Sequence, residues 1–289
     1  MSRREFPSVF FCAINECFPK DSSTFILAQL NIMRMIHRYF KQLAFAFFLT
    51  TGLATQAQVV THATGIHLYF SEMDQTFPEN WYSEEITAHT TPLPNIEKKR
   101  SVATVFSALD KYPQHIIQEH LIEIYIFGVL EFFNQGYAGT YSDNTLYMSN
   151  GGVAEGFTNG FIEQTFHHEF SSILWGAHAD LLDSVAWKKL NKIDYGDGGI
   201  QALIDDNDSQ TFDTYYNERG FLFQYASSDL ENDINSFAEN LFAPTLEFRD
   251  ALKKHSVLRK KMALIIAFYT SLDPSLNSSF FAELPLVEL

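Results

Sequence analysis

Phe161-Ile-Glu-Gln-Thr-Phe-His-His-Glu-Phe-Ser-Ser-Ile-Leu-Trp175 is the stretch on which the reading of this chain turns. Ile162, Phe166, Phe170, Ile173, Ala177 and Leu181 recur at three- and four-residue spacing. They therefore form one stripe of a helix, and that stripe is expected to face a core. His168, Ser172 and Trp175 share another face. His167 is next to His168 in sequence but points about 100° further round the helix, so the two cannot grip one ion without distorting it.

The pair His168-Glu169 opens the pattern His-Glu-x-x-His. In that pattern two imidazoles one turn apart hold a zinc ion, and the Glu polarises the zinc-bound water. Here the fifth position is Ser172. His178 follows His168 by ten residues, the offset of the last His in the extended pattern His-Glu-x-x-His-x-x-Gly-x-x-His, and Gly176 stands one place from that pattern's glycine. Without its flanks, a His-Glu pair in a chain with this many of both residues reads as ordinary surface.

Working towards the N-terminus, Tyr137-Ala-Gly-Thr-Tyr-Ser-Asp-Asn-Thr-Leu-Tyr-Met148 reads as a hairpin around a Ser-Asp-Asn turn. Leu121-Ile-Glu-Ile-Tyr-Ile-Phe-Gly-Val-Leu130 is rich in β-branched and aromatic residues and predicts a central strand. Ser101 offers an N-cap for a helix carrying Val102, Val105, Phe106 and Leu109, closed by Tyr112-Pro113. Residues 59–70 predict another strand, with a polar, proline-punctuated loop as far as Pro94. His115, His120 and His255 read as helix-surface residues.

Towards the C-terminus, Phe237-Ala-Glu-Asn-Leu-Phe242 predicts an amphipathic helix, and residues 246–252 and 257–272 predict two more. Asp205-Asp-Asn-Asp208 lacks the central Gly and the twelfth-position Glu of a calcium loop, so it reads as a solvated acidic loop. Asp194-Tyr-Gly-Asp-Gly-Gly199 is a turn cluster, and no Gly-x-Ser-x-Gly elbow occurs. The expected fold is α+β: a small mixed sheet over roughly residues 59–148, then a mostly helical half containing the His-Glu helix.

Met35-Ile-His-Arg-Tyr-Phe-Lys41, the apolar run at residues 43–49 and Gly52-Leu-Ala-Thr-Gln-Ala57 together have the form of a secretory signal peptide. It lies deep in the chain, so translation is expected to begin at Met33 or Met35 and residues 1–34 to be a mis-assigned extension. Residues 58–289 would then be one mature domain without cysteine, since Cys12 and Cys17 fall outside it. That excludes a disulfide framework, a cysteine nucleophile and thiolate metal ligands. Of the 20 Lys+Arg and 35 Asp+Glu, 14 and 32 remain, a formal charge of -18 that repels nucleic acid and anionic membranes. The apolar run is shorter than the roughly 20 residues of a membrane-spanning helix, and no later stretch comes close, so the mature part is expected to be soluble.

Two stretches resemble the zinc-binding metallopeptidases exported by Bacteroidetes, within the broader gluzincin group. Thr165-Phe-His-His-Glu-Phe-Ser-Ser-Ile-Leu174 is similar to that family's His-His-Glu-Phe-x-His-Ile-Leu. Gly220-Phe-Leu-Phe-Gln-Tyr-Ala226, running into Glu231-Asn-Asp-Ile-Asn-Ser-Phe-Ala-Glu239, is similar to its Gly-Phe-x-x-x-Tyr-Ala followed by Glu-Asp-Phe-Ala-Glu. The resemblance implies a zincin-like fold with His168 as first zinc ligand, Glu169 as general base and Tyr225 as oxyanion stabiliser. It also puts Ser172 where the second His ligand belongs and Asn235 where the third ligand belongs. Glu239, one turn beyond Asn235, or His178 could stand in as zinc ligands. Two functions follow: an exported zinc-dependent peptidase, periplasmic, surface-bound or secreted, or an inactive relative that binds a peptide or protein there. No nucleic-acid partner and no membrane span are expected for the mature chain.

Overall fold

The structure is a computed structural model that describes residues 59–73 and 75–289. The expected extension and signal peptide lie outside the described residues. Among those residues, no helix is long and apolar enough to cross a membrane.

Strands β1 (Val60–Thr61) and β2 (His67–Tyr69) form an antiparallel hairpin in place of the single strand expected over residues 59–70. Gly65, at φ 93°, makes the turn between them. β3 (His89–Pro92) follows, then helices α1 (Asn95–Leu109) and α2 (Gln114–His120). Next come β4 (Glu123–Phe132), β5 (Gln135–Gly136), β6 (Gly139–Ser142) and β7 (Thr145–Ser149). Along the sheet the order is β1-β2-β4-β7-β6, with β3 and β5 also paired to β4. β2, β4 and β7 run parallel, and β1, β3, β5 and β6 run antiparallel to their neighbours. The sheet is therefore mixed, and the hairpin expected at residues 137–148 is present as β6 and β7.

Both faces of β4 are covered. Ile124 and Ile126 join Leu68, Leu146 and Met148 in the core beneath the helices, while Tyr125 and Phe127 join Tyr147 in a second cluster. Phe77 and Trp81 close that second cluster over the opposite face, so the segment expected to be a plain polar loop is a lid for the sheet. One extra residue in β4 opposite Thr91 and Pro92 then switches the alternation, and Leu130 and Phe132 turn to the aromatic cluster. Gly128 sits at that irregularity because a Cβ there would lie 2.9 Å from the Pro92 carbonyl oxygen.

The α1 helix begins six residues earlier than its expected cap. Ser101 is buried within it and accepts a hydrogen bond from Asn150 Nδ2 at 2.8 Å. The rest of the chain is helical: α3 (Asn159–Ala177), α4 (Ser184–Lys188), α5 (Gly199–Ile204), α6 (Thr214–Asn217), α7 (Leu230–Phe242), α8 (Leu246–Lys254), α9 (Ser256–Leu272) and α10 (Ser278–Glu283). The protein is thus α+β, a small mixed sheet followed by a mostly helical half.

Helix α3 starts at Thr158, whose side chain accepts from the Phe161 amide, and it packs against α1, β6, β7 and α7. Ile162, Phe166, Phe170 and Ile173 are buried as the spacing requires, each side chain worth roughly 1.5–3 kcal/mol on burial. Ala177 and Leu181 are exposed, because the helix ends at Ala177 and the chain turns away through His178. The α7 helix is buried from Asn232 to Phe242, around its whole circumference and not on one face. It is the central helix of this half, and its polar residues must find partners inside the protein.

Candidate functional site

Asp229 caps α7 by accepting from the Asn232 amide at 2.7 Å. That fixes a row of polar side chains, Asn232, Asn235 and Glu239, at spacings of three and four along the face turned to α3. His168 and Ser172, one turn apart on α3, meet this row.

His168 Nδ1 lies 2.7 Å from Glu239 Oε2, and its Nε2 lies 3.3 Å from Asn232 Oδ1. The Asn232 amide nitrogen donates to Ser228 Oγ and Asp229 Oδ2, so its oxygen is the atom that faces the ring and Nε2 must donate. Burial alone would depress the imidazole, but the hydrogen bond and charge of Glu239 outweigh it and lift His168 to about 9. His168 is therefore an imidazolium at neutral pH with both N–H groups committed. Burial raises the Glu239 carboxyl and the His168 contact opposes that rise. Since the ring is the stronger base, we place the shared proton on His168.

Ser172 and Asn235 meet each other. Asn235 Nδ2 donates to Ser172 Oγ at 2.7 Å, and both residues are buried. Among the described residues Glu169 has no hydrogen-bond partner; burial, the main cause, pushes its carboxyl up to about 7 against the lowering effect of His168. Tyr225 stacks on the His168 ring at 6.4 Å between centroids, and burial first, then the charge of Glu169, holds its phenol well above the ordinary value.

These groups line a cleft of two adjoining chambers of about 70 and 240 Å³, both bounded by His168, Glu169 and Tyr225. Glu239 lines the smaller; Ser172, Asn235 and Glu231 line the larger. Strand β6 forms one wall. Gly139 brings it against α3 so closely that a Cβ would lie 2.8 Å from Glu169 Cγ and 2.8 Å from Thr165 Cγ2.

Of the residues singled out from sequence, His168, Glu169, Tyr225 and Glu239 come together here. His178 does not. Ten residues of α3 carry it roughly 15 Å along the helix axis, and its Nε2 lies 3.1 Å from Nε2 of His120. His120, expected on a helix surface, is 8 % exposed, and burial depresses its imidazole. His167 is on a different face of α3, about 100° round from His168, fully buried against Tyr112 and Glu163. Glu231, Asn232 and Tyr141 were not singled out for a role. Tyr141 donates to Glu231 Oε1 at 2.9 Å, which turns that carboxylate to the cleft.

The residues do not fit a catalytic zinc ion. Such a site takes three protein ligands, and a His ligand must offer a lone pair. Both ring nitrogens of His168 lie within hydrogen-bond distance of other side chains, Glu239 and Asn232, and the two positions that the resemblance makes ligands hold Ser172 and Asn235, bonded to each other. Among the described residues no group of three or more His, Cys, Asp or Glu side chains is arranged to hold a metal ion.

No family model matches the chain, and no curated protein matches it. A solved structure, that of a putative zinc-binding metallo-peptidase from Bacteroides caccae ATCC 43185, is similar at 15% sequence identity and a TM-score of 0.48, over 73% of this chain and 83% of that one.

Proposed function

We propose that this chain is a zincin-like protein that has exchanged its metal centre for a hydrogen-bonded polar cleft, and that it binds a peptide segment instead of cleaving one. The observation that carries the reading is the Ser172–Asn235 hydrogen bond, which joins the two positions where the resembling peptidases have zinc ligands. A peptide suits the cleft because β6 ends the strand order of the sheet and leaves a backbone edge along it. Export to the periplasm, the cell surface or the medium belongs to the same proposal and rests on the signal-like residues 35–57.

The test is elemental analysis of the purified chain beside a His168→Ala variant, followed by incubation with an unfolded protein substrate. Less than about a tenth of a zinc per chain in both, and no cleavage with added zinc, is the expected result. Near one zinc per chain, lost in the variant, would replace this reading with that of an active peptidase using unfamiliar ligands.

A further inference from the structure

His178 lies outside the cleft, and the pair it makes with His120 has no part in the peptide-binding reading. His178 follows the last residue of α3 and His120 is the last residue of α2, 58 positions away in sequence, yet their Nε2 atoms are 3.1 Å apart. The Glu119 carboxylate stands beside them, with Oε2 4.0 Å from His120 Nε2. His120 is nearly buried, whereas the Glu119 side chain is 66 % exposed, so the cluster sits at the surface with one side open to water.

One hydrogen shared between two neutral imidazoles accounts for a contact of this length. The placement of the rings goes further. A head-on hydrogen bond would hold the ring centres roughly 5.4 Å apart, but they are 4.9 Å apart with their planes at 85°. The rings therefore lean off the line between the nitrogens, as two rings do when both aim at a common ion. Two imidazole nitrogens on one tetrahedral zinc ion, each at about 2.0–2.1 Å, lie roughly 3.3 Å apart, close to the spacing of this pair. Only the hydrogen on one ring has to pass from Nε2 to Nδ1 for both lone pairs to face inward. As placed, the three donors do not yet converge, but the exposed Glu119 oxygen reaches the same spacing by moving less than about 1 Å.

We infer that His120 and His178, with Glu119 swinging in, form a surface site for an exchangeable zinc ion that ties the end of α2 to the end of α3. Two imidazoles and one mobile carboxylate are expected to give an affinity of about 1–100 μM. A chelator wash therefore strips this ion before the elemental analysis above, and the two tests stay separate.

The test is calorimetry of the chelator-treated full chain with zinc chloride, alongside thermal denaturation. One zinc per chain in that affinity range is expected, with the midpoint raised by at least about 3 °C in about 0.2 mM zinc. Magnesium, which imidazole does not suit, is expected to give no rise. His178→Gln keeps a hydrogen-bonding group beside His120 but removes the imidazole, and should weaken zinc binding at least about tenfold; Glu119→Gln, an exposed change, should weaken it at least about threefold. Circular dichroism checks that both variants are folded. No binding by the wild-type chain up to about 1 mM zinc, an equal rise with magnesium, or undiminished affinity in either folded variant would overturn the inference.

Discussion

Ser172 and Asn235 are joined by a 2.7 Å hydrogen bond across the packed helices α3 and α7, with both side chains out of contact with bulk water. Each needs the other, because a buried polar group without a partner costs about 1–3 kcal/mol. Ser172→Ala should therefore destabilise the protein by about 1–3 kcal/mol, leaving the Asn235 amide with neither end satisfied. Ser172→Ala with Asn235→Leu should cost clearly less than the two single changes added together. Urea denaturation of the four proteins gives the coupling; additive losses would mean the bond contributes nothing.

Deeper in the core, Lys261 Nζ lies 2.5 Å from Asp233 Oδ2, and both residues are 0 % exposed. Trp187 Nε1 and the Tyr195 hydroxyl donate to the same carboxylate oxygen. Desolvation on this scale makes the ion pair a poor net stabiliser and a costly thing to break. Asp233→Ala should lose about 3–5 kcal/mol, while Asp233→Leu with Lys261→Met should recover most of it. Thermal denaturation decides: a double variant as unstable as the single one sinks the argument.

The two adjacent histidines of α3 should act on stability with opposite signs in pH. His167, depressed to about 4 chiefly by burial, with Lys111 adding to the depression and Glu163 opposing it, takes up its proton more readily when the chain unfolds. Its contribution is complete above the unfolded value near 6.5 and is lost as pH falls from about 6.5 to about 4, roughly 3 kcal/mol in all. His168, lifted to about 9 by Glu239 in spite of burial, has the opposite sign: its contribution is complete below about 6.5 and is lost as pH rises through about 9. Glu169, raised to about 7 chiefly by burial, works against His167, since its contribution is lost as pH rises from about 4.5 to about 7. Denaturation midpoints should therefore change little between about pH 4.5 and 6.5 and fall from pH 7 to 9, with that alkaline fall flattened in His168→Asn.

The sequence made the strong elements legible and hid the ones that depend on partners. β4, the hairpin at residues 139–149 and α3 carry periodicities that survive folding, because each presents its apolar residues to one or two covering layers. The lid around Phe77 and Trp81 sits among proline and polar residues, and its role exists only once β4 has a second face to cover. Helix α7 is similar: a helix buried all round still carries Asn and Glu, and no periodicity distinguishes buried polar residues with partners from a solvated face. In the cleft, His168 and Glu169 follow from motif spacing, and Glu239 from the resemblance of residues 231–239 to the family's second stretch. The proton arrangement on His168 does not, since it depends on Asn232 being oriented by Ser228 and Asp229. His178 misled because its offset came from a pattern in which the chain turns back, whereas here α3 continues to Ala177.

The width of the cleft depends on Gly139. Strand β6 approaches α3 there, and a Cβ would sit 2.8 Å from both Glu169 Cγ and Thr165 Cγ2, and 2.9 Å from Glu169 Oε1. Thr165 cannot easily yield, because its hydroxyl bonds the Phe161 carbonyl one turn earlier and holds the side chain in place. Glu169 lines the chamber where a ligand would sit, so a shift of its side chain changes the space there. Gly139→Ala should therefore cost about 1–3 kcal/mol of stability and weaken peptide binding more than the loss of stability explains. The control is Gly136→Ala, where nothing lies within 4 Å of an added Cβ. Measuring denaturation and peptide affinity for both variants separates the effects: equal affinities would show that the wall at Gly139 does not set the dimensions of the cleft.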